Sequence, residues 1–183
     1  MSPDFDLRTR VMMAALEDVI IPAIDPKNSL AIEQSKLLLG NLGMMRDQID
    51  YYHAYETVEL ASLTKLLETL RLHNGPASPE TAGLIAAGNA AAGPVVATSA
   101  LRKISRTMRE AARSIIDAAA AKGGDAERES QQAVLAYSEE ALTRERAWTA
   151  GYGFDVFPET LRSIPTSLEL AQHETTTSAP REG

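Results

Sequence analysis

Asp50, His53 and Glu56 follow one another at i, i+3 spacing within Asp47-Gln48-Ile49-Asp50-Tyr51-Tyr52-His53-Ala54-Tyr55-Glu56. On a helix such neighbours meet on one surface. Tyr52 and Tyr55 add two phenols, and Glu59 carries the acids one step further. An imidazole oriented by a carboxylate can move protons near neutral pH, which makes this cluster the candidate polar site. Glu56 and Glu59 also occupy positions where the helix pattern calls for apolar side chains. A buried carboxylate is costly unless paired, so these two mark a proton-transfer or metal site in the bundle. The plainer reading buries the tyrosine rings with their hydroxyls on nearby acids, the other acids facing water.

A metal centre is not expected. Di-metal carboxylate bundles take a Glu from each of two helices and Glu-x-x-His from two others. Here the order is His53-x-x-Glu56, and the later helix with Glu139, Glu140 and Glu145 has no histidine. No cofactor is expected either: the chain lacks a glycine-rich phosphate loop, a Gly-x-Ser-x-Gly elbow and His-Glu-x-x-His. With no assigned catalytic residue, an enzyme is the less favoured class.

A second constellation is cationic. Arg102, Arg106, Arg109 and Arg113 are spaced four, three and four, so they share a helix face, while Leu101, Ile104, Met108, Ala112 and Ile115 line another. The face could dock an acidic partner or a phosphate-bearing ligand through arginine forks. Alternatively it complements the acidic last helix, with Glu127, Glu129, Glu139 and Glu140. A third feature is Trp148, Tyr152, Phe154 and Phe157, which either fold back towards residues 51–55 or anchor another protein.

The elements that must position these residues are all helical. Ser2-Pro3, Asp25-Pro26 and Ser78-Pro79 each place a capping side chain before a proline at the first helical position, and Asp125 after Gly123-Gly124 marks a fourth start. The first helix is predicted from about residue 3 to 20, stopping at Pro22, with Leu7, Val11, Ala14/Ala15 and Asp18/Val19 as its stripe. The second runs from about 26 to 72 and ends at Asn74-Gly75. Leu38, Leu42, Met45, Ile49 and Tyr52, then Leu63, Leu66 and Leu70, form its stripe. So long a helix needs either a kink, expected at Gly40 and Gly43, or cover from a second protomer. The third spans about 79 to 122 with a kink or break at Gly93-Pro94, and the fourth about 125 to 150.

The expected architecture is an all-α antiparallel bundle of four main helices, with kinked long helices and an irregular C-terminal segment. Residues 1–150 form the bundle domain, 151–173 an apolar segment packed on its side, and 174–183 a disordered tail. A length of 183 residues fits one domain, and 44% hydrophobic residues suit a packed core. With no cysteine there is no disulfide framework or thiolate site. A net charge of -7 argues against nucleic acid or an anionic membrane as partner. The uncharged stretch 81–101 is alanine-rich and broken by Asn89 and Pro94, so no spanning helix is expected.

The stretch Leu16-Glu17-Asp18-Val19-Ile20-Ile21-Pro22-Ala23-Ile24-Asp25, followed by Ala31, Gln34 and Leu39-Gly40-Asn41-Leu42, resembles small helical bacterial proteins encoded beside aminoglycoside-phosphotransferase-like kinases and acyl-CoA dehydrogenases. It covers about 30 of the 183 residues. The resemblance implies a non-catalytic accessory or scaffold protein of the bacterial cytosol, serving a small-molecule kinase, and no site residue follows from it. The expected partners are further copies of the chain, as a homo-oligomer, or another protein. The alternative is a helical-bundle enzyme or small-molecule binder using Asp50, His53 and Glu56.

Overall fold

The structure, a computed structural model, describes residues 4–75, 78–91, 96–153 and 155–169. The expected features at Ser2-Pro3, Gly93-Pro94, Phe154 and the 174–183 tail lie outside the described residues. Those described form an all-α fold: α1 (Phe5–Ala15), α2 (Ile21–Ala23), α3 (Ser29–Gln48), α4 (Tyr52–Asn74), α5 (Pro79–Ala91), α6 (Thr98–Lys122), α7 (Gly124–Trp148) and the short α8 (Ile164–Ser167). None of these helices is long and apolar enough to cross a membrane.

The core lies between α4, α5, α6 and α7. Leu60, Leu63, Leu67 and Leu70 of α4 are all at most 2% exposed and meet Leu101 and Met108 of α6. The stripe read from residues 63, 66 and 70 is therefore the buried one, as is the apolar face of α6. Cross-helix pairs set the directions. Glu59 meets Arg144 and Asn74 meets Ser130, so α7 runs against α4. Tyr52 meets Arg102 and Glu59 meets Arg109, so α6 runs with it.

The joints follow local chemistry. Ser78 Oγ accepts the Thr81 N–H at 3.2 Å, capping α5 as its Ser-Pro start predicts. Gly123 and Gly124, at φ 68° and 71°, carry the sharp reversal between α6 and α7 in a region that side chains disfavour.

Several expectations are corrected. Helix 1 does not end at Pro22. A π-helical turn over Leu16–Ile20, in which the Ile21 N–H reaches the Leu16 carbonyl, widens the helix ahead of the proline and lets it continue to Ala23. Asp4 caps α1, its carboxylate accepting the Leu7 N–H. Asp25-Pro26 forms a turn, with the Asp25 carboxylate accepting the Lys27 N–H, and Asn28 caps α3.

The long second helix breaks at a 3-10 turn over Ile49–Tyr51, not at Gly40 or Gly43. A glycine within a helix costs only about 1 kcal/mol relative to alanine and does not by itself break it. At Gly43 an added Cβ would lie 3.7 Å from Met13 Cε of α1, an ordinary van der Waals contact. The actual break sits where the Gln48 amide donates to the Trp148 carbonyl at the end of α7 (2.8 Å), satisfying one of that helix's terminal acceptors.

The largest correction concerns the N-terminal helices. Leu7, Val11 and Val19, expected to form an inner stripe, are exposed, and Thr9 and Leu16 are the buried residues there. Leu38, Met45 and Ile49 are exposed too, and α3 has no buried residue in twenty. The four helices of the core are thus the second half of the expected helix 2, both parts of helix 3, and helix 4.

Candidate functional site

Glu59, not His53, is the centre of the polar site. Its carboxylate is 4% exposed at the middle of α4. Oε1 accepts from Arg109 Nη2 at 2.8 Å and from the Tyr137 hydroxyl at 2.5 Å, and Oε2 accepts from Arg144 Nη2 at 2.5 Å. Two helices, α6 and α7, thus converge on one acid of α4. Burial pushes the Glu59 carboxyl up, but hydrogen bonds from Tyr137, Arg144 and Arg109 outweigh it and hold the group below its ordinary value. Burial and then the hydrogen bond to Glu59 push Tyr137 up to about 12, so it stays a donor.

Glu56, one turn earlier, is also buried but more weakly served. Its nearest cation is Arg102 Nε at 4.0 Å, and Arg102 also donates to the Tyr52 hydroxyl. Burial raises its carboxyl above the ordinary value, with Arg102 and then Arg109 acting against the shift. Two acids three residues apart are therefore driven in opposite directions, because one has charged donors on both oxygens and the other does not.

The i, i+3 cluster itself does not assemble. Asp50 and His53 are exposed. His53 Nδ1 lies 3.1 Å from the Thr98 hydroxyl at the start of α6 and has no hydrogen bond to Asp50 or Glu56. The 3-10 turn places Asp50 outside the regular register that would have stacked it below His53. Tyr55 packs its ring on Trp148 at 4.6 Å, and Tyr52 lies 6.2 Å from the same ring. Burial, followed by the Glu59 and Glu145 charges, pushes Tyr55 up to about 12. Among the described residues, no group of three His, Asp or Glu side chains is placed to hold a metal ion.

The arginine stripe divides. Arg102 and Arg109, seven apart, turn towards Glu56 and Glu59 of α4, and Arg113 pairs only with exposed Asp117 at 4.0 Å, while Arg106 is exposed. Its complement is α4, not the acids expected on α7: Glu140 pairs with Lys65 and Glu127 accepts from Gln131. The face is thus not a uniform anion platform. Tyr137 and Arg144 escaped the sequence reading. Their signal was the spacing Ser130, Tyr137, Arg144, seven apart on one face of α7, with Ser130 and Arg144 fully buried.

Trp148 folds back on the tyrosines, as one of the two sequence readings had it, whereas Tyr152 and Phe157 are substantially exposed. The C-terminal segment is tied to α7 by Arg146, which donates to both Asp155 oxygens at 2.8 Å. Those bonds and the Phe157 N–H hold the Asp155 carboxyl down to about 2. The tie is complete above the ordinary value of 3.8 and is lost as pH falls through about 2. A carboxyl-carbon NMR titration is expected to show the low midpoint, and Arg146→Ala should return it towards 3.8. An unshifted midpoint in the wild type would contradict the pairing.

Fold and site together define a class: an all-α protein whose polar centre is a buried carboxylate clamped by two arginines and a tyrosine. No protein-family model, curated protein or solved structure matches the chain.

Proposed function

We propose that the chain is a non-catalytic accessory or scaffold protein that works by binding protein. The observation that carries this reading is α3, twenty residues long with none buried. Leu30, Leu37, Leu38 and Met45 on its outer side are each half or more exposed. A contiguous apolar surface of this kind marks an association site. The polar centre supports the same reading. Glu59 is neutralised from three directions, the Tyr55 and Tyr137 phenols hold their protons until about pH 12, and His53 stands apart from the acids. In that arrangement Glu59 is committed to holding α4, α6 and α7 together.

The resemblance of the segment around residues 16–42 points to a bacterial cytosolic metabolic system, with a small-molecule kinase as the polypeptide served. Native mass spectrometry of the chain purified gently from its own host tests the proposal. The expected result is a protein assembly that persists in Asp50→Ala and His53→Ala variants. A lone chain carrying a small molecule or metal, lost in those variants, would replace it with the enzyme or ligand-binder reading.

One observation favours a second reading, small-molecule binding, at a different place. A cleft of ≈ 530 Å³ between α4, α7 and residues 162–169 is lined by Lys65, Arg162 and Arg144, three cations against Glu140 and Glu169. Arg144 Nε is buried there without a hydrogen-bond partner, so the ligand would be a small anion. A thermal-shift titration with inorganic phosphate and succinate tests it, and no shift at millimolar concentration removes it.

A further inference from the structure

We propose that the outer face of α3 is a two-fold interface between two copies of this chain, with the two α3 helices antiparallel and centred between Leu37 and Leu38. The inference rests on the association reading above and names the occupant of that surface.

Helix α3 has two apolar faces. The inner one, with Ile32, Leu39 and Leu42, is half-buried and lies beside α1. The outer one carries Leu30, Gln34, Leu37, Leu38, Asn41 and Met45, all exposed. Their spacing is four, three, one, three and four, which places them within one third of the helix circumference. No charged residue stands among them.

The order of residue types along that face is the same in both directions: apolar, amide, apolar, apolar, amide, apolar. Antiparallel pairing about its midpoint sets Leu37 against the other copy's Leu38, Gln34 against its Asn41, and Leu30 against its Met45. Apolar groups then meet apolar groups, and amides, which both donate and accept, meet amides. The Asn41 amide N–H already donates to the Leu37 carbonyl at 2.9 Å, leaving its oxygen to accept from the facing Gln34. A surface that matches itself under a two-fold rotation is what an isologous dimer requires. An unrelated partner imposes no such symmetry.

On that face Leu30, Leu37, Leu38 and Met45 are 50–66% exposed, and the pairing covers all four. Two α1–α3 pairs laid face to face make a four-helix layer, which covers what a lone helix pair cannot.

The test uses the full chain, which has no cysteine of its own. Analytical ultracentrifugation should give twice the 19.7 kDa chain mass. The double variant Leu37→Glu/Leu38→Glu should sediment as a monomer with its circular dichroism retained, because the α4–α7 core contains no α3 residue. For the register, Gln34→Cys and Asn41→Cys chains are oxidised separately and as a re-equilibrated mixture. Cross-linked dimer should form in the mixture alone, because like positions sit about 10 Å apart along the paired helices.

Cross-linking in a single variant, or its absence from a dimeric mixture, overturns this pairing. A wild-type monomer at tens of micromolar overturns the two-copy interface altogether. Hydrogen exchange on that monomer then separates the two readings. Fast-exchanging α3 amides leave protein association standing with another partner, and strongly protected ones remove both.

Discussion

Glu59→Ala is expected to destabilise the protein by about 3–5 kcal/mol, the range for removing one member of a buried ion pair. The loss falls on what remains. Arg109 is half exposed and can turn its guanidinium into water, but Arg144, at 5% side-chain exposure, cannot. The Tyr137 hydroxyl loses its acceptor at the same time. Arg144→Met should cost less, about 1–3 kcal/mol, because Arg109 and Tyr137 still serve the carboxylate. The double variant Glu59→Leu/Arg144→Met should recover most of the loss, since it leaves no unpaired charge inside. Urea unfolding followed by circular dichroism reads all three, and simple additivity would show that the clamp is not a coupled unit.

The acid limb of stability carries a matching signature. The Glu59 carboxyl is depressed in the fold, so its contribution is complete above the ordinary value of 4.5 and lost as pH falls through the folded value. Glu56 has the opposite sign. Its carboxyl is raised, so it favours the fold at low pH and the benefit is lost as pH rises from 4.5 through the folded value. Glu59→Ala should therefore flatten the acid-side loss of stability, and Glu56→Gln should be tolerated near neutral pH.

Gly88→Val is expected to cost about 2–3 kcal/mol, at the upper end for overpacking a well-filled core. A Cβ at this position would lie 2.3 Å from Thr64 Oγ1 and 2.7 Å from Met108 Cε. Met108 is fully buried, and the Thr64 hydroxyl is held by the Leu60 carbonyl at 2.8 Å, so neither has free space to move into. The strain falls on the seating of α5 against α4 and α6. Gly88→Ala should be milder, and Thr64→Ala in that background should restore part of the loss by removing the closest atom. The control is Gly83→Ala, where an added Cβ meets nothing within 4 Å. Equal melting temperatures for the Gly88 and Gly83 alanine variants would contradict the close approach.

The close approach at Gly88 was not readable from its neighbours. By spacing, Gly83, Ala87 and Ala91, four apart, make one small-residue face, yet Gly88, one position away, is the residue under pressure. Small residues spread around α5 leave several faces equally able to approach another helix, and only the rotation of α5 in the bundle selects one. In α4 the reading was better. Leu63, Leu66 and Leu70 recur on one face together with Glu56 and Glu59, and all five are buried. The two acids on an apolar stripe are both buried, Glu59 among its charged partners, while Asp50 and His53 beside them belong to the surface.

Local chemistry alone determined that the chain is helical, the Ser78 cap, the glycine reversal at 123–124 and the inward faces of α4 and α6. Each depends on residues within a turn or two, where spacing and backbone preference act without help from the rest of the chain. The tertiary structure decided which apolar stripes are covered, where the long second helix breaks, and which cations reach Glu59. The partners of Glu59 lie 50, 78 and 85 residues away, at Arg109, Tyr137 and Arg144. Such a meeting depends on how three helices rotate about their own axes as they pack, and periodicity along any one of them leaves that rotation open.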